Sequence, residues 1–375
     1  MSELSLGLRA AVEGGWETTM RTVNSRTRPG VQAVIVLCAA VAVLLAPSGP
    51  AAFALPRVEV VLSLPYGSGP GQVGATKAGD PVPEATPECP AMFWMTQQGI
   101  IWVLDSVNSR VLAFRDGKQI VEICTRDVEK LPQLFGVTRG AVFVVQIVNV
   151  NGPECRLVRY DPAGHQSTSS DLRLPDGRPF LPMKVMPLGR EDETVLISGR
   201  THPSEAGGSL VLDSDGKIVS VQVEEGPSYG STHMPAADGT VWRMVALDFD
   251  EETEVPVRLE RYDADTKAWT KVSSRALPRR PQLWAQRKQA RFHTLGVDAD
   301  GAVAVVLSEG MPSSLRFLRL GPSGEVAALT LEDLGVDSAP LGTFFAPQHF
   351  QLLPDGSILA QYASPERYQV TRLVF

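Results

Sequence analysis

The chain is poor in the residues that hold metals and make crosslinks, with four cysteines and five histidines in 375 residues. No Cys-x-x-Cys pair occurs, which excludes a cysteine-rich zinc site. A His-Glu-x-x-His segment, a dinucleotide fingerprint and a Ser/His/Asp motif are also missing. The glycine-rich stretch "GSGPGQVG" (67–74) lacks a following Gly-Lys-Ser/Thr and is interrupted by Pro70, so it is no phosphate loop. Positive charge is short as well. The 35 basic and 42 acidic residues leave −7, the wrong sign for non-specific nucleic-acid binding. Long helical runs are absent, and 29 prolines and 33 glycines punctuate the chain into short segments.

One long uncharged apolar run exists, "VQAVIVLCAAVAVLLA" (31–46). It is short of the ~20 residues that span a bilayer. Arg21, Arg26 and Arg28 precede it, and Ala52-Phe53-Ala54 closes the segment, the pattern of a secretory signal cleaved before Leu55. The alternative is an uncleaved N-terminal anchor, which would be the only membrane contact. Met20 is an alternative start. The expected location is secreted, periplasmic or cell-surface. Without residues 1–54, 31 basic and 39 acidic residues leave −8.

Beyond residue 56 the sequence alternates short β-branched and apolar runs with Gly, Asp and Pro turns, which predicts strands. Hairpins recur: "SRVLAFRDGKQIVEIC", "CRLVRYDPAGHQSTSSDL", "GSLVLDSDGKIVSVQV", "VRLERYDADTKAWTKVS" and "LRFLRLGPSGEVAALTL". Their tips lie roughly fifty residues apart, long enough for a four-stranded propeller blade. Each is preceded by another strand-turn-strand unit, from "AMFWMTQQGIIWVLD" to "FQLLPDGSILAQY". The last unit ends at "RYQVTRLVF" without a fourth strand, while "RVEVVLSL" (57–64) stands alone with Val58, Val60, Leu62 and Leu64 on one face. The expected architecture is therefore all-β: a single domain, 55–375, forming a six-bladed β-propeller whose last blade is closed by strand 57–64. Closure removes unpaired edges. The unit around 180–224 is the least regular, and a seventh blade is the alternative.

"CPAMFWMTQQGIIWVLDSVNSRVLAF" resembles the NHL repeat at Pro90, Gly99, Asp105, Asn108, Arg110 and Val111. The resemblance is clear in this blade alone. It implies a six-bladed fold in which Asp105, Asn108 and Arg110 are structural, Asp105 pairing with Arg110 across its own turn. Glu88-Cys89-Pro90 is similar to the segment that opens the first blade in gluconolactonase-like lactonases, which would make Glu88 a ligand of a divalent ion. The Asn and Asp ligands which that family draws from later blades have no counterpart here.

His233, His293 and His349 each fall near the innermost strand of a blade, where imidazoles converging on the channel could hold zinc or another divalent ion. Their distances to the following turn glycines Gly239, Gly301 and Gly356 are 6, 8 and 7 residues, and a one-residue offset reverses a strand side chain. "DFDEETE" (248–254) lacks the spacing of a calcium loop. The basic segment 275–291 carries Arg279, Arg280 and Arg287 around Trp284, an anchor for a partner if exposed. Cys89, Cys124 and Cys155 fit one disulfide and one thiol. Propeller topology brings the ends at Cys124 and Cys155 to one rim, so Cys124–Cys155 is the expected bridge and Cys89–Cys124 the alternative. The functional expectation is an exported binding or scaffold module for a protein or glycan, with no cofactor. The rival is a lactonase- or lyase-type enzyme using a zinc or calcium ion at the channel mouth.

Overall fold

The computed structural model describes residues 57–75, 90, 92–125, 132–147, 154–188, 193–202, 204, 206–227, 231–246, 254–278, 291–309, 314–323, 325–330, 350–363 and 366–374. Six four-stranded antiparallel sheets make six blades, and the described residues contain no helix. Blade one is β2 (Met92–Met95), β3 (Ile101–Asp105), β4 (Arg110–Arg115) and β5 (Lys118–Cys124). Blade two is β6 (Pro132–Thr138), β7 (Ala141–Ile147), β8 (Cys155–Tyr160) and β9 (Gln166–Asp171). Blade three, β10 (Phe180–Leu188), β11 (Thr194–Thr201), β12 (Ala206–Asp213) and β13 (Ile218–Pro227), is complete despite its irregular sequence. Blades four and five are β14 (Ser231–Pro235), β15 (Val241–Ala246), β16 (Glu254–Asp263), β17 (Ala268–Pro278), then β18 (Arg291–Val297), β19 (Val303–Glu309), β20 (Ser314–Leu320), β21 (Val326–Thr330). Blade six combines β22 (Phe350–Leu352), β23 (Ile358–Ala363) and β24 (Arg367–Val374) with β1 (Arg57–Pro65), which pairs antiparallel with β24.

Burial along each blade explains the sequence. The second and third strands are covered on both faces by neighbouring blades, so "IWVLD" and most of "RVLAFR" are buried throughout. Outer strands face water. "KQIVEIC" is exposed or half-buried except at Ile123, and "QSTSSD" is exposed at every position. The core accordingly lies between blades. Leu62, Leu64, Phe93, Val103, Leu112 and Tyr368 join blades six and one; Phe143, Leu157, Phe180 and Ile197 join two and three.

Ring closure uses side chains as well as β1. The Gln351 amide accepts from Met95 N at 2.7 Å and donates to Met95 O at 2.8 Å, tying the innermost strands of blades six and one. Gln361 donates to Pro90 O at 2.7 Å across the same seam.

One expectation for β1 fails. Val58, Val60, Leu62 and Leu64 do not share a face, because a bulge between Val60 and Leu62 reverses the alternation. Leu62 and Leu64 are buried, whereas Val60 is 56% exposed.

Candidate functional site

In an antiparallel blade the first strand ends, and the second begins, on one face of the ring. The C-terminal halves of five inner strands, β2, β10, β14, β18 and β22, surround a cavity of about 410 Å³ on that face. Its walls are apolar: Met92, Phe93, Met186, Leu295, Val297 and Leu352 among others. The turns at Gln97, Gly99, Pro354 and Asp355 form an exposed rim. Among the described lining residues one basic side chain occurs, Lys184 in the middle of β10.

Lys184 is 4% exposed. Its Nζ donates to the main-chain carbonyl of Thr294 on β18, reaching from blade three to blade five. No acidic side chain pairs with it among the described residues. Burial without a countercharge pushes its ammonium down to about 7. Asp355, the acidic residue at the rim, is occupied by Arg372 and Ser357.

Both strands of this contact are bulged there. In β10 the register shifts between Pro182 and Lys184, leaving Met183 extra and 52% exposed. In β18 it shifts between Thr294 and Gly296. Bulges re-aim side chains beside functional sites, and here they turn Lys184 inward. Two glycines permit them. A Cβ on Gly199, opposite Pro182, would come 2.1 Å from Leu181 O, and one on Gly296 would come 2.9 Å from Pro235 O.

In the sequence Lys184 carries one signal, a lone charge inside the otherwise apolar "FLPMKVMPL", and no motif marks it.

Of the three histidines, His233 and His293 lie among the described residues. His233 is 3% exposed, and its ring is committed on both sides: Nδ1 lies 2.8 Å from Ser209 Oγ and Nε2 3.0 Å from Glu224 Oε1. With both nitrogens engaged, neither is free to face an ion in the channel. The row Ser209–His233–Glu224 has the order of a hydrolytic triad, yet Ser209 is fully buried within β12 and donates to Gln222 Oε1 at 2.5 Å. No substrate carbon can reach it. The network continues through Arg243, 3.1 Å from Glu224 and 2.6 Å from Glu260, its guanidinium 4.3 Å above the Trp269 ring. It braces blade three against blade four. His293 is half-buried on β18. His349, Glu88 and Cys89 lie outside the described residues, as do Trp284, Arg279, Arg280 and Arg287 and loop residues 248–253. Among the described residues no group of three or more His, Cys, Asp or Glu side chains could hold a metal ion.

Asp105, Asn108 and Arg110 form a clamp. Arg110 Nε donates to Asp105 Oδ2 at 2.9 Å, with the carboxylate fully buried. The same trio grips the glycine-rich loop: Gly74 N donates to Asp105 at 2.9 Å, Asn108 to Gly67 O at 3.0 Å, and Arg110 to Ser68 O at 3.0 Å and Gln72 O at 2.9 Å. The loop that follows β1 is thereby fastened to blade one.

The expected Cys124–Cys155 bridge is not formed; both thiols are free. Cys155 points into the core between blades two and three, and Cys124 faces solvent at the end of β5, so the two side chains diverge although their strands end on one rim. Burial pushes the Cys155 thiol up to about 11.

No family model matches the chain, and no curated protein matches it. Solved structures similar to it include a hydrazine synthase of Kuenenia stuttgartiensis at 14% identity, covering 72% of this chain and 76% of that one, with a TM-score of 0.44. A streptogramin B lyase shares 13% identity over 85% of this chain and 97% of its own, with a TM-score of 0.42. An oligogalacturonate lyase in complex with manganese shares 10% over 76% of both chains, with a TM-score of 0.43.

Proposed function

We propose that the protein is an exported, NHL-like propeller that binds a small, largely apolar molecule in its channel cavity, with one oxygen of that molecule received by Lys184. The observation that carries this reading is an apolar chamber of about 410 Å³ that, among its described lining residues, holds one buried amine. Its size falls within the range of small-molecule pockets, and apolar walls with few fixed polar groups are what such pockets use.

Calorimetric titration with 2-naphthylmethanol and with naphthalene tests the reading. The alcohol is expected to bind one-to-one and at least about tenfold more tightly than the hydrocarbon, an advantage that Lys184→Met removes. Failure of the alcohol to bind, or an advantage that survives the substitution, overturns it.

A further inference from the structure

We propose that Lys184 captures carbonyl compounds: its Nζ condenses with an aldehyde or ketone seated in the channel cavity, giving an imine and water. This deepens the reading above and rests on the cavity being the ligand site.

The geometry suits a nucleophilic amine better than an ion-pairing ammonium. Among the described residues Nζ has one partner, the carbonyl of Thr294. A neutral amine donates one N–H there and keeps its lone pair free. An ammonium would leave two further donors facing apolar walls, and no carboxylate among the described residues offsets its charge. Enclosure contributes too. Lys184 is buried behind a rim of exposed turns, so a carbonyl carbon entering through the rim meets the nitrogen in a setting short of water, which favours loss of water from the adduct. The depressed amine basicity agrees, since burial lowers it to about 7 and leaves far more of it unprotonated at neutral pH than of a hydrated lysine.

The chemistry balances without a further reactant. The nitrogen lone pair forms a C–N bond while the carbonyl π pair moves to oxygen. Two protons pass from nitrogen to that oxygen in total. The C–O bond then breaks, water leaves, and the nitrogen lone pair closes the C=N bond. Hydrolysis reverses each step, so capture is reversible.

The test is reductive trapping of the purified full chain at pH 7 with 2-naphthaldehyde and sodium cyanoborohydride, followed by intact-mass and peptide-mass analysis. We expect one adduct per chain, at Lys184, formed at least about tenfold faster than at exposed Lys118 and Lys267, because a hydrated lysine amine is almost wholly protonated at this pH. Lys184→Arg should abolish the fast adduct. In case that variant folds poorly, 2-naphthylmethanol added to the unmodified protein should suppress labelling at Lys184 and leave Lys118 unaffected. Labelling at Lys184 no faster than at Lys118, while 2-naphthylmethanol still binds, overturns carbonyl capture and leaves the binding reading standing. If neither binding nor fast labelling occurs, both fall together.

Discussion

A buried amine with no countercharge among the described residues places a proton-linked cost on folding, and Lys184 shows which way it runs. Its ammonium gives up its proton near 7 in the folded chain, against an ordinary value of 10.5. Between those two values the unfolded chain holds a proton that the folded chain has lost. Unfolding therefore takes up a proton, and stability rises with pH through that window. Below pH 7 the penalty is fully present. Lys184→Met has no such linkage, so its stability relative to the parent should be most favourable at pH 6. The advantage should fall by a few kcal/mol toward pH 10, on the order of 1.4 kcal/mol for each pH step across the window. Urea midpoints of both proteins over that range measure it. A difference that stays flat with pH would mean that the amine is hydrated in the folded state. Asp105 is the contrasting case at this scale, a buried charge matched by Arg110 and by the main chain of residue 74.

Among the elements, β1 carries the clearest consequence. It is remote in sequence from β24, yet it supplies the fourth strand of blade six and part of the core shared with blade one. Its bulge sorts its side chains into two classes. Leu64→Asp would bury a carboxylate against Phe93, Leu112 and Tyr368, and should cost at least about 3 kcal/mol. Val60→Asp, on the exposed side, should stay within about 0.5 kcal/mol of the parent. Denaturant unfolding of the two variants side by side makes the comparison. Equal effects would place the bulge elsewhere. The same device works in β10 and β18, where bulges permitted by Gly199 and Gly296 aim the strands at the cavity.

For the whole molecule, ring closure means that no blade can leave without exposing the cores on both its sides. The free thiols report on this. Cys124 is solvent-facing, and Cys155 is packed between blades two and three with its thiolate disfavoured by burial. Iodoacetamide at pH 8 should modify Cys124 in the native protein. Cys155 should react at least about a hundredfold more slowly, becoming comparable only across the unfolding transition. Mass analysis of the two peptides at increasing urea reads the result. Native-state labelling of Cys155 at the rate of Cys124 would show that the seam between blades two and three opens independently.

Much of the architecture was legible in the chain because a propeller blade is a local object. Turn residues such as Asp116 and Gly117 and the alternation of apolar runs lie close together in sequence, and the orphan strand 57–64 had one place to go. Six blades and the closing strand follow from that periodicity. The site is different in kind. Lys184 is one charge among its own sequence neighbours, and it acquires its character from Thr294, 110 positions away, and from walls drawn from five blades. Likewise His233 reads as a channel ligand until its ring is seen held by Ser209 and Glu224 of blade three. Cys124 and Cys155 read as a pair until their side chains are seen to diverge. Strand periodicity is a short-range property of the chain. Desolvation, side-chain direction after a bulge and the partners of a buried polar group arise only when distant strands meet.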